Sequence, residues 1–253
     1  AFEVLSYRWG VAAIVLTLFG WCSGCNFRLA KKDLLVVFLL SLLRATTSFS
    51  LLIAYQNIAT GVASTIHFML AMMFFFHEKK SLLVMLAVLM SLFGAALLSS
   101  GELEAKSGDT IVGLVAACIS VFSYGGYIIG VRTTRAAQIN STVLTCYVMG
   151  MGAVFYLIGA MATSGLHLVT DGYIWLIILG LALPATAISN ITLVRAIKYA
   201  GPTLTSILGA MEPLTAVVIG VFVFKELFTL NSAIGILLIL LAVGMVVFRK
   251  QKS

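Results

Sequence analysis

Charge is what this sequence has least of. Only 10% of its 253 residues are Asp, Glu, Lys or Arg, against about 25% in an average soluble domain. That shortage excludes a water-soluble fold, whose solvated surface needs many more polar side chains. Proline is scarce as well, with three in the chain, so long helices run with few breaks. Four cysteines in apolar surroundings make no disulfide scaffold. Cys22 and Cys25 form one C-S-G-C pair without a second ligand pair nearby, and we read them as reduced thiols. The three histidines are scattered, and neither an H-E-x-x-H pattern nor a G-x-x-x-x-G-K loop occurs. This argues against a zinc hydrolase and against an ATP-driven pump within the chain. A dyad drawn from Ser64 and His67 has no readable oxyanion partner. The ring of charges or carbonyl filter of a channel is also absent from the pattern. An enzyme is not expected, nor is any cofactor or metal.

What the sequence does have is hydrophobic length. Apolar residues make up 61% of it, and the mean hydropathy is +1.12. The apolar runs are about 20 residues long, enough for a helix to cross roughly 30 Å of hydrocarbon. A helix also satisfies its own backbone in lipid, and the alternation of a membrane barrel strand is missing. Nine spans are read, at 2–22, 33–57, 61–80, 82–100, 111–131, 142–163, 173–197, 202–224 and 232–248.

The net charge of +7 sits at span ends, which suits membrane topology better than nucleic acid. When the spans alternate sides, one side collects twelve basic residues: Arg28, Lys31, Lys32, Lys79, Lys80, Arg132, Arg135, Arg195, Lys198, Arg249, Lys250 and Lys252. The other holds Lys106 and Lys225. The basic side is expected to be cytoplasmic, with the C-terminus inside.

The chain also resembles itself. SYRWG around Tyr7 matches CYVMG around Tyr147 at an offset of 140. Ala54, Ser64 and Met69 match Ala196, Ser206 and Met211 at an offset of 142. His77-Glu78-Lys79 matches Lys225-Glu226-Leu227 at 148. Their order implies a duplication into an N-terminal half, 1–102, and a C-terminal half, 103–253. The jump from 142 to 148 leaves the first half six residues short after Met69. Removing six residues would turn the helix by about 600°, short of two full turns, so residues are expected to be missing near Leu70. The later half has five spans and the earlier four, so a first span is expected before Ala1. Ten spans in two halves of five insert with opposite orientation, the inverted-repeat logic of secondary transporters.

Three features resemble the EamA-type branch of the drug/metabolite transporter superfamily. These are Arg8 in EVLSYRWG, the pattern AIKYAGPTLTSILGAMEPLTAVVIGVFVFKE over 196–226, and its degraded copy over 54–78. The first half lacks the proline expected after Met69. The resemblance implies an all-α integral membrane protein, a ten-helix 5+5 inverted-repeat bundle with a central cavity. Such a carrier exports amino acids or other small metabolites across the plasma membrane, with the inner membrane of a bacterium expected.

Ionisable and polar side chains at span depth are the candidate substrate contacts. Glu212 stands about ten residues into its span beside Pro213, where a kink fits a midplane site. It would bind a substrate ammonium or take up a proton, or else stabilise the kink. Arg44, Thr47 and Ser48 share one helix face at i, i+3 and i+4, with Tyr55 further along. Their repeat partners Thr186, Ser189 and Asn190 have the same spacing. Arg44 would hold a carboxylate in a bidentate fork, or serve a packing ion pair. Arg8 lies near a span end and is read mainly as snorkelling to the interface. His67 is a proton acceptor or a hydrogen-bonded packing residue. Tyr7, Tyr124, Tyr127 and Tyr147 are an aromatic lining or plain packing. The candidate set is Arg44, Thr47, Ser48, Tyr55, His67, Tyr147, Ser189, Asn190 and Glu212. Arg44 with Glu212 fits a zwitterion. Glu212 with the tyrosines fits a multidrug or organic-cation exporter. Beyond solute, proton and lipid, no partner is implied.

Overall fold

In the computed structural model, residues 2–58, 109–163, 171–209 and 230–251 are described, with isolated single positions and pairs between them. The helices are α1 Phe2–Cys22, α2 Lys31–Asn57, α3 Thr110–Thr133, α4 Ser141–Thr163, α5 Gly172–Ala182, α6 Ser189–Ala200, α7 Pro202–Gly209 and α8 Leu230–Gln251. A 3-10 turn, Arg135–Gln138, links α3 to α4, and a π-helical segment, Leu183–Ile188, joins α5 to α6. Among the described residues five helical stretches are long and apolar enough to cross a membrane: α1, α2, α3, α4 and the continuous Gly172–Ala200. They coincide within three residues at either end with five of the spans read from hydropathy. Of the remaining four, 232–248 falls within α8 and 202–224 begins as α7, while 61–80, 82–100 and the expected break near Leu70 lie largely outside the described residues.

Large apolar side chains cover the outside. Ile14, Leu18, Trp21, Leu35, Phe122, Met161 and Leu176 are all exposed. In water such a surface would aggregate; against lipid it is the solvated face.

The chain divides into two compact units, residues 1–49 with 126–201, and residues 50–125 with 202–253. The first unit holds α1, most of α2, the end of α3, α4, and the α5–π–α6 span. It therefore contains two pairs related by the sequence repeat, α1 with α4 and α2 with α5–π–α6.

Small residues let these helices approach. Trp9, 1% exposed, lies over Gly152 with its ring edge-on to Tyr156 at 5.1 Å. Gly126 and Gly130 of α3 face Leu43 and Leu40 of α2, so this small-xxx-small pair is a packing surface. Interhelical hydrogen bonds add to the contacts. Ser41 Oγ donates to the Val148 carbonyl at 2.9 Å, and Tyr156 Oη to the Ala45 carbonyl at 2.6 Å. Each removes a polar group from lipid at about 1 kcal/mol net.

One end of this unit gathers the basic helix ends. Arg135 Nε meets Asp33 Oδ1 at 2.7 Å, joining the start of α2 to the turn after α3. Lys198 Nζ donates to the Ile139 carbonyl, and Arg132 Nη1 to the Lys198 carbonyl. Gly201 ends α6 at a φ of 92°, a left-handed conformation that glycine adopts without strain.

In the second unit the end of α2 packs on the start of α3. Ile58 sits against Gly113, beside Ala54, Ala116 and Ala117. Asp109 caps α3, its Oδ1 accepting from the backbone N–H of Ile111 and Val112, which satisfies two of the orphan donors at a helix start.

Candidate functional site

The first unit places two arginines, Arg8 and Arg44, at or near the middle of its spans. Arg44 is the central residue of α2, and Thr186 is the central residue of Gly172–Ala200. A span of this length exceeds 30 Å, so its centre lies deep in hydrocarbon. Arg8 stands four residues, about one helical turn, from the centre of α1.

Pro184 shapes the opposing wall. Lacking an N–H and crowding the carbonyl four residues back, it disrupts the α-helical ladder. The chain responds with a π-segment over Leu183–Ile188, in which the Ser189 N–H reaches the Pro184 carbonyl five residues back. Such bulges widen the helix and redirect side chains. Here Thr186, fully buried, donates from Oγ1 to the Leu181 carbonyl at 2.8 Å, also five residues back.

Two arginines dock on this segment. Arg8 Nε donates to Thr186 Oγ1 at 2.5 Å. Arg44 Nε donates to Asn190 Oδ1 at 2.9 Å. The Asn190 amide then donates from Nδ2 to the Thr186 carbonyl at 2.7 Å. One continuous network thus holds both guanidiniums on neutral oxygen acceptors. They lie within electrostatic reach of each other and of the Tyr156 hydroxyl. Arg44 also stands 5.8 Å from the centroid of the Tyr127 ring, a cation–π distance. Ser48 lies within hydrogen-bonding reach of Tyr156.

The candidates from the sequence separate accordingly. Arg44, Ser48 and Asn190 belong to this cluster. Thr47 is buried beside them, but its hydroxyl turns back to the Leu43 carbonyl. Ser189 is exposed, because a residue in a π-turn advances less than the 100° of an α-helix and carries Ser189 away from the face of Thr186. Tyr147 Oη donates to the Phe27 carbonyl and ties α4 to the loop after α1. Tyr55 and His67 belong to the second unit. There His67 Nδ1 is 2.9 Å from Ser120 Oγ, and its ring lies 4.8 Å from that of Tyr124, while Tyr55 packs beside Ala54 and Ile58. Glu212 lies outside the described residues.

The structure adds Arg8, Thr186 and Tyr156 to the group. Arg8 reads as an interfacial residue when α1 is considered alone, since its partner is 178 positions away. Pro184 was the available signal for Thr186, as a proline in mid-span demands a local rearrangement. Nothing in the sequence marks Tyr156.

Among the described residues no group of three His, Cys, Asp or Glu is placed to hold a metal. No curated protein matches the sequence. One solved structure, described only as a crystal structure of a protein, superimposes with a TM-score of 0.82 at 16% identity, over 100% of this chain and 89% of that one. At that identity the likeness concerns the fold. The EamA-like transporter family model matches residues 111–248, more than half of the chain. With its apolar spans, its polar cluster at mid-span and this match, the chain belongs to the EamA-like transporter family.

Proposed function

We propose that the chain is a secondary transporter that exports small polar metabolites, amino acids among them, by alternating access of two inverted five-helix repeats. The observation that carries this reading is the Arg8–Thr186 and Arg44–Asn190 network at the middle of the spans. Burying two guanidiniums at that depth is costly, and such groups belong to solute or ion pathways. The inverted repeat is supported by the two pairs of repeat-related helices within one compact unit. The gathering of basic helix ends in that unit supports a common cytoplasmic side, with the C-terminus on it and the plasma membrane, the inner membrane in a bacterium, as the location.

Solute binds at the arginine network, and the halves rock about it. The alternative is a multidrug exporter of organic cations, with Glu212 and the tyrosines as its contacts and Arg44 structural. Glu212 is the proposed proton carrier. If it is, Glu212→Gln abolishes the pH dependence of transport and leaves exchange intact; unchanged pH dependence removes that role.

The test is counterflow. Full-length protein is reconstituted in liposomes loaded with unlabelled solute, and uptake of a labelled panel of amino acids and other small metabolites is followed. Saturable accumulation abolished by Arg44→Ala supports the reading. No accumulation of any solute by folded, inserted protein overturns it.

A further inference from the structure

The start of α2 joins positive charge to an exposed apolar face. Lys31 and Lys32 are both exposed, and neither has a hydrogen-bond or ion-pair partner among the described residues. Asp33, the carboxylate nearest them in sequence, is already engaged, its Oδ1 accepting from Arg135 Nε at 2.7 Å. Arg28, exposed in the preceding loop, has the same sign as the lysines. The charge of Lys31 and Lys32 therefore faces outward without a counter-charge from its own helix.

An α-helix turns about 100° per residue. Counted from Lys31, the side chains of Leu42, Leu35, Leu39 and Lys32 fall at about 20°, 40°, 80° and 100°. The two lysines thus stand at the edges of one arc, and three leucines fill it. Those leucines are 45%, 65% and 50% exposed in the same order. Val37, Leu40 and Ser41 lie outside the arc and are buried. Leu40 meets Gly130 of α3, and Ser41 donates to the Val148 carbonyl of α4. The arc is accordingly turned away from both neighbouring helices. From Lys31 to Leu42 the helix rises about 16 Å, roughly one leaflet of a 30 Å hydrocarbon core.

A ligand that fits both parts has a negative head and an apolar tail one leaflet long. Any bilayer lipid covers the leucines; the paired lysines add a choice of headgroup. A phosphodiester with no ammonium of its own offers the lysines a net charge. A zwitterionic headgroup brings a cation that they repel. A small soluble anion leaves the leucine face uncovered.

We propose that Lys31, Lys32 and the Leu35–Leu39–Leu42 face form a binding site for one anionic phospholipid. Its phosphate sits between the two lysines and an acyl chain runs along the leucines. The site is separate from the arginine network at mid-span and does not depend on the transporter reading.

The test counts bound lipid. Purified, delipidated full-length protein in a neutral detergent is titrated with dioleoyl phosphatidylglycerol and with dioleoyl phosphatidylcholine, and the complexes are resolved by native mass spectrometry. A saturable phosphatidylglycerol site is expected, about tenfold or more tighter than phosphatidylcholine and weakened by salt. Lys31→Gln and Lys32→Gln each loosen it about fivefold, and the double variant about twentyfold, as loss of one and two surface cations does. A double variant with Lys31→Arg and Lys32→Arg, which keeps both charges, stays within about twofold of the parent. Arg195→Gln removes an exposed charge from α6 instead and leaves the affinity unchanged. Glycerol phosphate, a headgroup without a tail, does not displace the lipid at equal concentration. Four outcomes overturn the proposal. One is phosphatidylcholine binding as tightly as phosphatidylglycerol. Another is a double Gln variant that binds as the parent does. A third is Arg195→Gln costing as much as Lys31→Gln, which makes total charge the cause. The last is displacement by glycerol phosphate, which makes the lysines a site for free anions and removes the lipid.

Discussion

Arg44 bonds to Asn190, the repeat partner of Ser48, which stands one turn further along the helix of Arg44 itself. Arg8 bonds to Thr186, the repeat partner of Arg44. The two helices that the 142-residue offset matches thus meet at their centres, and their polar contacts are made by non-identical residues. Arginine in one copy finds a neutral acceptor in the other.

Asn190→Leu tests the acceptor. Asn190 is buried, at 3% exposure, and the change strands the Arg44 Nε donor. A loss of about 1–3 kcal/mol in stability is expected, with counterflow reduced at least tenfold. Thermal unfolding in detergent and counterflow are measured on the same preparation. Unchanged transport would falsify a placing role for Asn190.

Pro184→Ala tests the π-segment. Alanine restores the missing N–H and favours the ordinary helix by up to about 3 kcal/mol over proline. Thr186 then rotates away from Arg8. Thermal stability is expected to hold or rise while transport falls. Should both activity and stability rise, the bulge has no part in the site.

Gly152→Ala tests the packing of α1 on α4. A Cβ there would lie 2.2 Å from Trp9 Cζ3, and the ring is itself buried, at 1% exposure. Overpacking of this kind costs about 1–3 kcal/mol. The unfolding midpoint of the variant is expected to drop, and an unaltered midpoint would mean that the two helices separate without penalty.

Asp33→Asn breaks the Arg135 pair. The arginine side chain is 55% exposed, so water and salt screen the interaction and its worth is about 0.2–1 kcal/mol. Stability and transport are expected to change little. A large loss of expression would instead implicate the pair in setting topology.

Sequence alone determined the membrane class and the positions of the described spans. Long apolar runs bounded by charge leave a helix across lipid as the one economical answer, and that is a local property. α1 covers 2–22 in both readings, and α2 differs by two residues at its start. Sequence also determined that Arg44 and Asn190 stand at span depth, because depth follows from counting along a helix. Only the tertiary structure decided that Arg8, Arg44, Thr186 and Tyr156 converge. Which faces meet depends on helix packing, on glycines such as Gly152, and on a change of helical register at Pro184. Hydropathy does not encode these, since a lipid-facing and a protein-facing leucine read alike. The pairing of Arg8 with a residue 178 positions away is a consequence of the fold, as is the separation of Ser189 from Thr186 and Asn190.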